Sequence, residues 1–314
     1  MRPSQSIGSL GKRAVILLSP VLEVLPGIDY AGPRVDPVFI VGSGRSGTTL
    51  LRRLLMQGGQ IHIPPESYVL GGVIRRFSVW RILPWKSATR HVIHEFERHP
   101  EFGTWEISAR PILAALAQTP ARDRALSTII DALYRFHSSE RGTGTTRWGD
   151  KTPSNSYCLT EIHRVFPDAK FLHMLRDGCD VVASMTAMGR VRTVEEAAGL
   201  WTRAVAAISR FSVDHPDAVL EVRYESLARE PEAVARRVCK WLGVEFTPSM
   251  ILGGIDGQVL GDVATHPHHA NVMNPISASS VGRGRNGLDD PTKRRLQPLL
   301  DPTLAAAGYP PVMS

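Results

Sequence analysis

Residues Gly42, Ser43, Gly44, Arg45, Ser46, Gly47, Thr48 and Thr49 form a glycine-rich octet between an apolar run at 37–42 and a run at helical spacing at 50–56. A turn of this kind, between a buried strand and a helix, aims backbone N–H groups and the positive end of the helix dipole at one point, which is a setting for phosphate. The octet fits the spacing G-x-x-x-x-G-K-[ST] except that Thr48 stands where the lysine belongs. That lysine normally reaches the β- and γ-phosphates of a nucleoside triphosphate, so ATP or GTP hydrolysis is a poor reading. A cation is still present: Arg45 lies inside the loop, and its planar fork suits a diphosphate-like group.

The elements that must position this loop follow from the apolar pattern. Pro37-Val38-Phe39-Ile40-Val41-Gly42 reads as a strand buried on both faces. A second strand is expected at 169–175, directly before Arg176-Asp177-Gly178 and a helix over 179–188, and a third at 218–224 before a helix over 232–242. Between residues 68 and 140 the pattern is mostly helical, with Trp80, Trp85, Phe96, Phe102 and Trp105 as core anchors. Strands alternating with helices predict an α/β fold, a single domain with a central parallel sheet flanked by helices and a P-loop-like loop. With 314 residues, 43% of them hydrophobic, the chain can bury one substantial core. Residues 1–36 are read as an N-terminal arm and connector, and 37–314 as the domain. The apolar run at 14–25 contains Ser19, Pro20 and Glu23; it is too short and too polar to span a bilayer, and reads as a docked arm or a weak membrane-surface contact.

A net charge of +7 attracts polyanions. Cys158, Cys179 and Cys239 are an odd number without a close pair, which speaks against a disulfide framework and for a reducing, cytoplasmic setting. His266-Pro267-His268-His269 has no carboxylate or cysteine at a clear ligand spacing, so no metal is expected; the segment reads as a wall or lid of an acceptor cleft.

With these motifs in place, the chain resembles the sulfotransferase family, in the branch that includes tyrosylprotein sulfotransferases and bacterial small-molecule enzymes. The likeness runs from about residue 37 to 309. Arg45-Ser46-Gly47-Thr48-Thr49 after the first strand is similar to the family's 5′-phosphosulfate loop, and Leu175-Arg176-Asp177-Gly178 with Ser184 to its 3′-phosphate segment. Tyr224 in Tyr224-Glu225-Ser226-Leu227 resembles the residue that closes the adenine pocket, although it also reads as an edge-strand tyrosine packed in the core. Ser279-Ser280-Val281-Gly282-Arg283-Gly284-Arg285 is similar to the basic loop that folds over the nucleotide, with Gly284 where the family usually carries an aromatic. The resemblance implies 3′-phosphoadenosine 5′-phosphosulfate (PAPS) as donor, 3′-phosphoadenosine 5′-phosphate (PAP) as product, and Arg45, Ser46, Gly47, Thr48, Thr49, Arg176, Ser184, Tyr224, Arg283 and Arg285 as residues that hold them.

Sulfuryl transfer needs an acceptor oxygen relieved of its proton and cations where the leaving phosphate gathers charge. The resemblance implies Glu66 as general base, twenty-one positions after Arg45 in the rigid setting Ile63-Pro64-Pro65-Glu66-Ser67. His62 is a second candidate. Lys151 in Trp148-Gly149-Asp150-Lys151-Thr152-Pro153 resembles the lysine that neutralises the bridging oxygen; Arg45, Thr48 and Thr49 share that work. The expected acceptor is a hydroxyl of a small molecule, carbohydrate or lipid, with peptide tyrosine also open and nucleic acid not expected. Two rival readings are an ATP-dependent small-molecule kinase, weakened by Thr48, and a non-catalytic polyanion-binding protein, weakened by the dispersal of the basic residues.

Overall fold

The computed structural model describes residues 27–189, 191–252 and 274–314. The run at 14–25 and the histidines at 266–269 lie outside the described residues.

Among the described residues, four strands form one parallel sheet. In chain order they are β1 (Val38–Val41), β2 (Gly149–Asp150), β3 (Lys170–Leu175) and β4 (Val219–Arg223), arranged β2-β1-β3-β4. Val38 pairs with Gly149 on one side and with Lys170 on the other, and Phe171 pairs with Val219. Of these strands β2 was not expected; with two residues it is too short to show any periodicity. All four residues of β1 are fully buried, as a central parallel strand requires. Its alternate residues serve opposite faces of the sheet. Phe39 and Val41, with Phe171 of β3, belong to a core built with the helices α2 (Leu70–Trp80), α3 (Trp85–Glu97), α4 (Arg110–Leu116) and α5 (Leu126–Glu140). Trp85, Phe96 and Trp105 are buried in that core, and Trp80 and Phe102 pack against it. Val38 and Ile40, with Leu172 and Met174, instead meet α1 (Thr48–Gln57) and α10 (Pro231–Leu242).

A third core cluster joins α7 (Gly178–Ala187), α8 (Val194–Asp214) and α12 (Asp290–Ala306). The remaining labelled helices are α6 (Leu159–Val165), α9 (Tyr224–Arg229) and α11 (Arg283–Gly287). Among the described residues, no helix is long and apolar enough to cross a membrane.

Two features of this layout position the site. First, because the strands are parallel, all four deliver their next residue to the same edge of the sheet: Gly42 after β1, Lys151 after β2, Arg176 after β3 and Tyr224 after β4. That edge is where α/β sheets bind ligands, and β1, with neighbours on both sides, is where the winding changes direction. Second, the long excursion between β1 and β2 closes on itself. His62 and Trp148 form an isolated parallel bridge; the His62 N–H donates to the Arg147 carbonyl at 3.0 Å, and the Gly149 N–H to the His62 carbonyl at 2.8 Å.

Candidate active site

The loop after β1 is held from below. Ser156 accepts from the Gly42 N–H at 2.9 Å and donates to the Gly42 carbonyl at 3.2 Å. Gly42 has φ 149°, and a Cβ there would sit 2.5 Å from the Met174 carbonyl oxygen, so the turn is built around glycine. Gly47 caps α1 with φ 99° and no side-chain cap. By helix geometry the N–H groups of Thr48, Thr49 and Leu50 have no intrahelical acceptor, and Leu51 is the first to bond back, to the Gly47 carbonyl at 3.2 Å. Ser43, Ser46, Thr48 and Thr49 are buried, and the Ser43 hydroxyl has no hydrogen-bond partner.

Arg45 adopts φ 68°, a left-handed conformation uncommon for a side chain of its size. It carries the guanidinium across to α7, where Nε donates to Ser184 Oγ at 3.2 Å. Arg176, 8% exposed, meets the same loop: Nη1 donates to the Arg45 carbonyl at 3.3 Å. Its Nη2 donates to the Ser280 carbonyl at 2.5 Å and to Asp180 Oδ2 at 3.3 Å, while Nε is buried without a partner. The Arg176 guanidinium lies 4.2 Å over the Tyr224 ring, a cation–π contact. That ring also fills the space where Gly47 has no side chain: a Cβ would lie 2.6 Å from Tyr224 Cδ2. Tyr224 is therefore a strut between loop and arginine, and it starts α9 rather than ending the strand.

Asp180 ties the C-terminal loop to this corner. It accepts from the Gly282 N–H at 2.9 Å and from the Gly284 N–H at 2.7 Å. Gly284 is buried on the first turn of α7, where a Cβ would lie 2.2 Å from the Cys179 carbonyl oxygen, so no aromatic fits at this position. Arg283 is exposed, with Nε donating to the Ser279 carbonyl at 2.8 Å. Arg285 bonds Asp177 at 2.7 Å and the carbonyls of Pro310 and Pro311 at 2.6 and 2.7 Å. Its guanidinium serves the C-terminal tail rather than the phosphate loop.

On the β2 side, Lys151 is wholly buried and its ammonium pairs with the carboxylate of Glu66, which is 15% exposed. The two segments are cross-tied by the Ser67 N–H, which donates to Thr152 Oγ1 at 3.0 Å. Asp150, next to the lysine, accepts from Tyr134 Oη at 2.5 Å and Asn155 Nδ2 at 2.7 Å; burial raises its pKa above the ordinary carboxylate value. His62 stands apart. It is buried, its Nε2 lies 2.6 Å from His137 Nδ1 and its Nδ1 lies 3.2 Å from Thr143 Oγ1. Burial, with Arg52 and Arg141 nearby, holds it down at about 4. Both ring nitrogens are engaged inside the core, so the structure gives His62 no reach to a substrate.

Three positioning residues were missed from sequence: Asp150, Ser156 and Asp180. Only Asp180 left a local signal, as the i+4 partner of Arg176 on the following helix. A cleft of about 720 Å³, lined by Arg34, His163, Lys170 and His215 among others, opens at the opposite end of the sheet. It touches none of these site residues, and the convergence of strand ends and helix N-termini makes the β1–β3 edge the better candidate.

Comparison with known proteins points to one family. A family model described as the sulfotransferase family matches residues 37–248. The chain is 25% identical over 287 residues to protein-tyrosine sulfotransferase 1 of Danio rerio, an alignment that covers 87% of this chain and 72% of that protein. It is 24% identical over 244 residues to omega-hydroxy-beta-dihydromenaquinone-9 sulfotransferase Stf3 of Mycobacterium bovis, covering 66% of this chain and 63% of the relative. Among solved structures, the sulfotransferase domain of the Synechococcus PCC 7002 olefin synthase superposes with a TM-score of 0.60 at 22% identity, over 88% of this chain and 97% of that domain. This last likeness shows the fold.

Proposed function

The chain belongs to the sulfotransferase family and is a sulfotransferase enzyme; on that premise we propose that it takes a sulfuryl group from PAPS and delivers it to a hydroxyl, with Glu66 as general base. The observation that carries the donor assignment is the hydrogen bond between Arg45 and Ser184, since it makes one site of two anion-binding segments, one after β1 and one after β3. A nucleotide with phosphate groups at both its 5′ and 3′ positions fits such a site. The unpartnered Ser43 hydroxyl and Arg176 Nε, both buried, are donors of the kind those groups would satisfy.

PAPS, when bound, supplies the activated sulfuryl group for in-line transfer. The N–H groups at the start of α1, with Arg45, Ser46, Thr48 and Thr49, hold the 5′ group; Arg176 and Ser184 hold the 3′-phosphate; Tyr224 keeps Arg176 in place, and Arg283 lies on the loop above. Lys151 neutralises charge on the leaving oxygen. With the donor bound, the Glu66 carboxylate, paired with Lys151 in this structure, would take the acceptor proton. The names of the relatives point to tyrosine and small-molecule acceptors, and we assign this chain a hydroxyl on a small molecule, carbohydrate or lipid. Three buried free cysteines support a reducing compartment.

Calorimetric titration in metal-free buffer tests the donor. PAP should bind at least about tenfold more tightly than ADP, the scale of one charge-assisted hydrogen-bond set, and Arg176→Ala should abolish most of that difference. Equal affinity for the two nucleotides would overturn the assignment.

A further inference from the structure

Among the described residues most aromatic side chains are buried or half-buried, and two are exposed: Tyr68, at 39%, and Tyr157, at 48%. Both belong to the catalytic segments: Tyr68 follows Glu66 by two residues, and Tyr157 follows Lys151 by six. Those segments touch repeatedly. Lys151 pairs with Glu66, and the Ser67 N–H reaches Thr152. Farther along, a Cβ on Gly71 would lie 3.0 Å from Cys158 Sγ, so the chain just past Tyr68 packs against the chain just past Tyr157.

Each ring is also held. Tyr68 has φ 57°, a left-handed backbone that is a genuine outlier for so bulky a residue, and its ring stacks on His99 with centroids 5.5 Å apart and an interplanar angle of 19°. Tyr157 Oη donates to the Leu200 carbonyl at 3.2 Å, which fixes that ring against α8. Two oriented, partly exposed rings on adjoining segments, one on a strained backbone, offer aromatic surface next to the segments that carry Glu66 and Lys151.

We propose that Tyr68 and Tyr157 form an aromatic rim that selects the acceptor by stacking on a flat ring adjoining the hydroxyl to be sulfated. The rim rests on the reading of Glu66 as the base, and it narrows the acceptor from any hydroxyl to one borne on or beside a ring. An acyclic alcohol offers no face to the rim and forfeits the stacking.

The test uses 2-naphthol as a probe ring, titrated calorimetrically into the full chain with PAP present and again without it, while PAP affinity is measured separately. Tyr68→Asn is the informative variant, because asparagine accepts a left-handed backbone and removes the ring; Tyr68→Phe keeps the ring. Saturable 2-naphthol binding to the wild type is expected, weakened about tenfold in Tyr68→Asn and in Tyr157→Ala and changed by less than about twofold in Tyr68→Phe, with PAP affinity constant throughout. Equal 2-naphthol affinity in Tyr68→Asn and wild type, or no saturable binding to the wild type, would overturn the rim. Failure of PAP to bind counts against the donor assignment alone, since the nucleotide-free titration still tests the rim.

Discussion

Lys151 carries a charge at a wholly buried position, and its pairing with Glu66 is what makes that tolerable. Removing one partner of such a pair costs roughly 3–5 kcal/mol, because the other is left buried and uncompensated. Alanine at position 66 would therefore confound lost chemistry with lost stability. Glu66→Gln separates them: the amide oxygen still accepts from Lys151, but the side chain cannot take a proton. Steady-state turnover with PAPS should fall by about a hundredfold or more, with PAP affinity close to wild type and a melting temperature lowered less than in the alanine variant, because the buried ammonium keeps a hydrogen bond while losing its counter-charge. If the glutamine variant kept a tenth of the activity, the base would have to be another group, and His62 is poorly placed to replace it because both its nitrogens are engaged in the core.

At the scale of elements, the recurring device is a strand end or helix start braced by glycine. Gly284 shows it most sharply, since its N–H reaches Asp180 only because nothing intervenes between α11 and the first turn of α7. Gly284→Ala should push the two apart, at about 1–3 kcal/mol for an overpacked contact, and should weaken PAP binding by loosening the Ser280 carbonyl from Arg176; thermal melts and the nucleotide titration read the two effects. Elements of this kind differ in how far the sequence reveals them. The loop at 42–49 is legible because strand, glycine turn and helix are consecutive, and the strands β1, β3 and β4 show because each is a continuous apolar or alternating run. β2 is not legible, having two residues, and so the strand that delivers Lys151 could not be read. The Glu66–Lys151 pair joins positions 85 residues apart, a juxtaposition that only the parallel register produces. Arg283 and Arg285 look equivalent in sequence, yet the tail carbonyls of Pro310 and Pro311 take the second.

For the whole molecule, the three histidines buried among the described residues, His62, His137 and His173, lower stability in acid. Burial holds His62 and His173 at about 4 and pushes His137 lower still, against an ordinary value of 6.5. The unfolded chain thus takes up protons that the native rings refuse, so their contribution is complete above pH 6.5 and is lost as pH falls from there toward 4. Each ring removes at most about 1.4 kcal/mol per pH unit over that window. Urea midpoints measured from pH 7.5 to pH 5 should decline steadily; a flat profile would mean that the native rings protonate in place. His62 has a second role, because its backbone bridge to Trp148 brings together the two ends of the excursion between β1 and β2. A stretch whose exit and return adjoin can be exchanged as a cartridge without altering the path of the remaining chain. Any replacement must bring its own cover for Phe39, Val41 and Phe171, but it need not touch Arg45, Arg176 or Ser184. A graft between residues 67 and 147 would replace Tyr68 but not Tyr157, and it would have to supply a partner for Asp150 in place of Tyr134.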